Sequence, residues 1–226
     1  MFEGYSDETF EFFMAIGFNN NAAFFHENHD WYVRGVRAPS LALAQSLSKV
    51  IEEIDPNLER RPDRVVSRIN RDTRFSHNKS PYRDYIWLSF HLPGEERSRH
   101  MELYFDISAQ GAGYGMGMYL QNKSLMNALR KRMVEEPERV LQLLAQANQR
   151  FECSAETYKR MQIPEELPPL LKQLYPLKNI GFYRQIQDFD LIKSPTLAQE
   201  IESGYRILQP MYSYINALTP IEDAPN

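Results

Sequence analysis

The sequence predicts an α+β fold, with a central, mostly antiparallel sheet flanked by N-terminal and C-terminal helices. Three observations lead there. Period-two alternation of apolar and polar residues is concentrated in the middle of the chain. Helical periodicity lies before it and after it. The links between successive strand candidates are too short for the helix that a parallel crossover needs. The 226 residues read as one domain, with N-terminal helices over about 6–54, sheet and motif over about 65–119, and a C-terminal helical part over about 122–219 that carries a late strand at about 180–186.

Taken in order, Ser6 caps a first helix whose apolar face is Phe10, Phe13, Met14 and Gly17. The run Asn19-Asn20-Asn21 punctuates the chain and supplies a cap for a second, aromatic helix through Phe24, Phe25, Trp31, Tyr32 and Val36. Pro39 marks a break or the first turn of a third helix. That helix carries Leu41, Ala44, Leu47, Val50, Ile51 and Ile54 at a period of about 3.6. Val65 to Ile69 is a short strand candidate. Asp84, Ile86, Leu88, Phe90 and Leu92 alternate with Tyr85, Trp87, Ser89 and His91, which predicts a strand with one apolar and one polar-aromatic face. Leu103, Phe105 and Ile107 form the apolar face of its antiparallel neighbour.

Gly113, Gly115 and Gly117 share one face of a third strand, where another backbone or a ligand can come close. Packing against a backbone is the favoured reading. Asn122 or Ser124 starts a helix through Leu125, Met126, Leu129 and Met133, and Pro137 starts another through Val140, Leu141 and Leu144. The proline-rich stretch 162–176 wraps the surface with one short helix. A strand follows at Ile180 to Ile186. A last helix opens at Ser194-Pro195 and runs to about Leu218, with a bend near Pro210.

Composition narrows the class. Apolar residues at 42% and charged residues at 25% suit an ordinary packed core. A single cysteine, Cys153, forms no internal disulfide and no thiolate cluster, and fits a reducing compartment. The N-terminus is acidic and lacks a long apolar run, and no stretch nears the roughly 20 apolar residues of a membrane span. The expectation is a cytoplasmic protein with no membrane partner. His26 and His29 stand at i and i+3, but no third ligand lies near them in sequence, so no metal site is expected. The spacings of zinc peptidases, serine hydrolases, dithiol redox proteins and dinucleotide-binding turns are all missing. The sequence therefore specifies neither a reaction nor a cofactor, and it leaves the oligomeric state open.

The chemistry-bearing stretch is Arg68 to Tyr82. From Arg60 to Arg83 eight bases face two acids, a local charge of +6 in a chain of net charge −4. Either acids elsewhere in the fold or an anionic ligand must balance it. Arginine predominates, and its planar fork of donors matches a carboxylate or phosphate bidentately. The first reading is an anion site. Arg68, Arg71, Arg74 and Lys79 hold a phosphate or carboxylate, Asp72 orients an arginine, Asn78 shapes the turn, and Tyr82 donates a hydrogen bond or moves a proton. The second is a nucleic-acid-binding module, in which Phe75, Tyr82, Tyr85 and Trp87 stack on bases. A pI near 5.8 argues against broad polyanion binding. The third is a structural clamp, with Arg71 and Arg74 paired to buried carboxylates, the Tyr82 ring tucked into the core, and function elsewhere.

Arg68, Arg71, Asp72, Arg74, Phe75, Asn78, Lys79 and Tyr82, in that order and spacing, resemble the signature of domain of unknown function 2461. That family is found in bacteria and within longer fungal proteins. The resemblance covers nearly the whole chain. It takes in Asn19 to Asn21, the glycine-rich strand after Tyr104, and the pair Leu177-Lys178. Ala22, Ala23 and Phe24 depart from the more polar run that the family suggests there. The family is uncharacterised, so the resemblance sharpens the residue list and implies no reaction.

Overall fold

In a computed structural model of the chain, residues 1–74, 79–94, 100–153 and 155–221 are described. Five strands form one antiparallel sheet: β1 (Tyr85–Phe90), β2 (Met101–Ser108), β3 (Gly111–Met118), β4 (Glu152–Cys153) and β5 (Gly181–Ile186). Their order across the sheet is β1-β2-β3-β5-β4. Helices lie around it, consistent with an α+β fold. They are α1 (Asp7–Phe18), α2 (Ala22–Glu27), α3 (His29–Tyr32), α4 (Ala38–Ile54), α5 (Pro62–Val65), α6 (Lys123–Glu135), α7 (Pro137–Ala147), α8 (Pro169–Leu174), α9 (Phe189–Ile192) and α10 (Leu197–Asn216). Among the described residues, no helix is long and apolar enough to cross a membrane.

The packing divides into two units. The first comprises Met1–Phe90, Tyr104–Tyr114 and Gln185–Ser203. Its core is built from Phe12, Phe13, Ile16, Leu43, Leu47, Ile51 and Phe105, all essentially without exposure. Tyr5 stacks on Phe105 with ring centroids 6.1 Å apart, and Phe10 meets Phe189 edge-on at 4.9 Å. The second comprises His91–Leu103, Gly115–Arg184 and Gly204–Asn226. Leu125, Leu129, Met133, Val140, Leu144 and Phe182 are buried there. In this unit Gly115 lies so close to the Phe182 carbonyl that a Cβ would overlap it. The glycine strand therefore serves the approach of another backbone.

Several boundaries differ from the sequence reading. Val65 to Ile69 is not a strand. Pro62, whose fixed φ suits the first turn of a helix, opens α5, and the chain then makes only isolated antiparallel bridges, Val66 to Leu88 and Asn70 to Tyr82. The four steps from Val66 to Asn70 face six from Leu88 to Tyr82, so a continuous ladder cannot form. On α1 the buried face is Thr9, Phe10, Phe12, Phe13 and Ile16, while Met14 and Gly17 are exposed. The last helix opens at Leu197, because Ser194 first forms a turn. Its hydroxyl accepts from the Thr196 N–H at 3.1 Å and its carbonyl from the Leu197 N–H at 3.2 Å. That helix ends at Asn216 and holds Pro210 inside it. A π-helical turn, Val33–Arg37, joins α3 to α4 and places Pro39 in the first turn of α4.

Candidate anion-binding site

The motif closes into a hairpin whose base is tied by backbone bonds. Ser67 N–H donates to the Trp87 carbonyl at 2.8 Å, Arg83 N–H to Ile69 at 2.8 Å, and Arg71 N–H to Pro81 at 2.8 Å. The Ser67 hydroxyl accepts from Trp87 N–H at 3.1 Å. Tyr82 anchors the hairpin from below. It is only 6% exposed, and its ring stacks on Phe25 with centroids 4.2 Å apart and planes 22° from parallel. The Asn20 side-chain amide accepts from Tyr82 N–H and donates to Tyr82 C=O, both at 3.0 Å. One amide thus supplies both bonds that a neighbouring strand would make.

Most cations of the basic segment have partners. Arg60 pairs with Glu52 at 2.9 Å. Arg61 forks onto Glu59, at 3.0 Å from Nε and 2.5 Å from Nη2. Arg64 stands 3.9 Å from Asp63. Arg74 forks onto Asp72, at 3.0 Å from Nε and 2.7 Å from Nη2. Lys79 donates to the Thr73 carbonyl at 2.9 Å. Arg83 donates to the Arg68 carbonyl at 2.9 Å and to that of Asn70, and its guanidinium lies 4.8 Å over the Trp87 ring. Arg68 and Arg71 are the exceptions. Arg68 is exposed and Arg71 half-exposed, and neither guanidinium has a hydrogen bond or ion pair among the described residues.

The carboxylates of this segment are engaged. Arg74 holds the Asp72 carboxyl down to about 2, first through its side-chain fork and then through its own backbone N–H. Asp72 is therefore ionised and a weak base at neutral pH, which suits orienting Arg74 and not removing a proton. The pair is local and solvent-exposed. It is not the buried-carboxylate clamp that the sequence also allowed.

The hairpin carries Arg68, Arg71, Asp72, Arg74, Lys79 and the buried Tyr82. Asn78, also expected in the site, lies outside the described residues. Two residues that complete the hairpin were not singled out for it by sequence, Asn20 and Phe25; Arg83 entered only in the charge count and Trp87 as a stacking residue of the nucleic-acid reading. One signal existed for Asn20. Asn21 alone caps α2, accepting from Phe24 N–H at 3.0 Å, which leaves Asn20 for another task. His26 and His29 fall on different short helices, since Asn28 ends α2. Among the described residues, no group of three or more His, Cys, Asp or Glu is placed to hold a metal. Burial pushes the Cys153 thiol up to about 12, so it is a poor nucleophile near neutral pH.

Fold and hairpin together define an α+β protein with an arginine-rich hairpin at the base of an edge strand. The family model described as "Conserved hypothetical protein (DUF2461)" matches residues 8–214, and the chain belongs to this family. No match was found among curated proteins or among solved structures.

Proposed function

We propose that the hairpin binds a small anion, a phosphate or a carboxylate, through Arg68 and Arg71. The observation that carries this reading is their lack of partners, in a segment where the other arginines are engaged. A guanidinium offers a planar fork of donors, and two forks from one short segment suit an oxyanion. Asp72 is the nearest acid in sequence and could compete for Arg71. Its bidentate bonds to Arg74 keep it occupied. The backbone ties at the hairpin base hold the two arginines on a supported loop, which lowers the ordering cost of binding.

A thermal-shift titration tests it, with wild type, Arg68→Ala and Arg71→Ala against phosphate, pyrophosphate and dicarboxylates. A ligand at about 100 times its Kd adds roughly 2.7 kcal/mol. For a chain of this size that raises Tm by about 5–10 °C. The expected result is a rise in wild type that disappears in either variant, with unliganded melting close to wild type. No rise with any of these anions, or the same rise in both variants, overturns the reading.

A further inference from the structure

We infer that this site takes a nucleoside phosphate, with the phosphate on Arg68 and Arg71 and the base against Tyr85 and Trp87. The inference rests on the anion-binding reading and narrows it. Tyr85 and Trp87 stand at i and i+2 of β1, on one face of the strand. Their ring centroids are 5.9 Å apart and their planes 31° from parallel. Tyr85 is 39% exposed. β1 is an outer strand in the sheet order, and beyond it the 66–70 segment makes only isolated bridges. The aromatic pair thus lies beside the hairpin.

Arg83 joins the two halves. Its guanidinium covers the Trp87 ring while donating to the backbone carbonyls of Arg68 and Asn70. Trp87 is also bonded in both directions to Ser67, the residue before Arg68. Arg83 therefore ties the backbone that carries Arg68 to the aromatic pair on β1. An inorganic anion would use Arg68 and Arg71 but leave Tyr85 unused. An acidic chain, with a pI near 5.8, is unsuited to wrapping a long polyanion. The match is to one nucleotide or a few. The nucleotide is either free or a unit of a single strand.

Isothermal titration of the full chain tests this with inorganic phosphate, thymidine, thymidine 5′-monophosphate and tetrathymidylate, on wild type, Tyr85→Ala, Tyr85→Phe and Arg71→Ala. Stacking of one base on an aromatic side chain changes affinity by about 5- to 150-fold. Thymidine monophosphate is expected to bind tighter than phosphate by a factor in that range. Tyr85→Ala should abolish the difference while leaving phosphate affinity unchanged, Tyr85→Phe should keep it, and Arg71→Ala should weaken both ligands. Equal binding of phosphate and thymidine monophosphate in wild type overturns the inference and leaves the anion site standing. So does an equal loss of both ligands in Tyr85→Ala. Binding of neither removes both readings. Tetrathymidylate that binds tighter than the mononucleotide, with a steeper salt dependence, identifies the strand as the source. Equal affinity identifies the free nucleotide.

Discussion

The Thr9 hydroxyl donates to the Gly35 carbonyl at 2.5 Å, inside the π-helical turn that precedes α4. Gly35 lies four residues before Pro39. Proline has no N–H to return along the helix, and its ring crowds that carbonyl. Thr9 is fully buried and supplies the missing donor. The same oxygen accepts from Ser6 N–H at 3.3 Å, at the start of α1. One hydroxyl therefore fastens the first helix to the irregular turn. Thr9→Val keeps the shape and removes this donor from the Gly35 carbonyl. It should cost about 1–3 kcal/mol, or roughly 2–12 °C in Tm by calorimetry. Thr9→Ser should stay close to wild type. In a Pro39→Ala background, where a backbone N–H is restored, the loss from Thr9→Val should shrink.

What was legible in the sequence follows from the range of the interactions involved. Helices α4, α6 and α7 and strands β1, β2 and β3 show their periodicity over several residues, and each forms where the pattern predicts. β4 has two residues and cannot display an alternation. The π turn depends on Thr9, some 26 residues from Gly35, and no local pattern reports it. The site divides in the same way. Charge clustering singled out Arg68, Arg71, Asp72, Arg74 and Lys79. It could not say which arginine takes Asp72. Nor could it foresee Asn20 and Phe25, whose roles depend on the fold placing them against Tyr82.

The Asn20 amide satisfies both backbone groups of the buried Tyr82. Asn20→Ala should therefore lower the unfolding free energy by about 2 kcal/mol, two ordinary hydrogen bonds, read from the urea midpoint at unchanged m. Asn20→Asp keeps the acceptor for Tyr82 N–H and loses the donor to its carbonyl, so its midpoint should fall between the two. Tyr82→Phe keeps the stack on Phe25 and should lie within about 0.5 kcal/mol of wild type. Tyr82→Ala should cost about 3–5 kcal/mol. If Asn20→Ala melts with wild type, the amide does not hold the hairpin.

The acid limb of stability should trace to paired carboxylates. Arg61 holds the Glu59 carboxyl down to about 2, helped by the backbone N–H groups of Arg61 and Arg60. Asp72 is held equally low by Arg74. A carboxyl that is more acidic when folded binds fewer protons in the native than in the unfolded state. Its contribution is complete above the unfolded value of about 4 and is lost as pH falls toward 2. Urea titrations at pH 7, 4 and 2.5 should show this decline. Glu59, whose side chain is 14% exposed, should carry more of it than Asp72, which is 52% exposed and screened by water. Glu59→Gln should be weaker than wild type at pH 7 and lose less on acidification. Asp72→Asn should follow the wild-type curve. Parallel curves for wild type and Glu59→Gln would remove Glu59 from the account.

Arg130 is a buried guanidinium with a structural task, and it separates fork geometry from charge. On α6 it is 6% exposed. Nε donates to the Tyr175 carbonyl at 2.8 Å, Nη2 to the Leu177 carbonyl at 2.6 Å, and Nη1 to Asn127 at 2.8 Å. The segment it grips is held on its other side by Tyr158 N–H to Pro176 and Lys178 N–H to Glu156, at 2.8 and 2.7 Å. Lysine in its place keeps the charge but has one nitrogen, which cannot reach two carbonyls and an amide from one plane. Arg130→Lys should therefore destabilise by about 2–4 kcal/mol, since at least one buried carbonyl is orphaned and a compact cation is left poorly solvated. Arg130→Met removes the cation and its desolvation cost along with the bonds, so it should lose no more than Arg130→Lys. Hydrogen exchange offers the local check. The Tyr158 and Lys178 amides should lose protection in both variants before α7 does. Wild-type protection in Arg130→Lys would mean that charge alone, and not the fork, secures this turn.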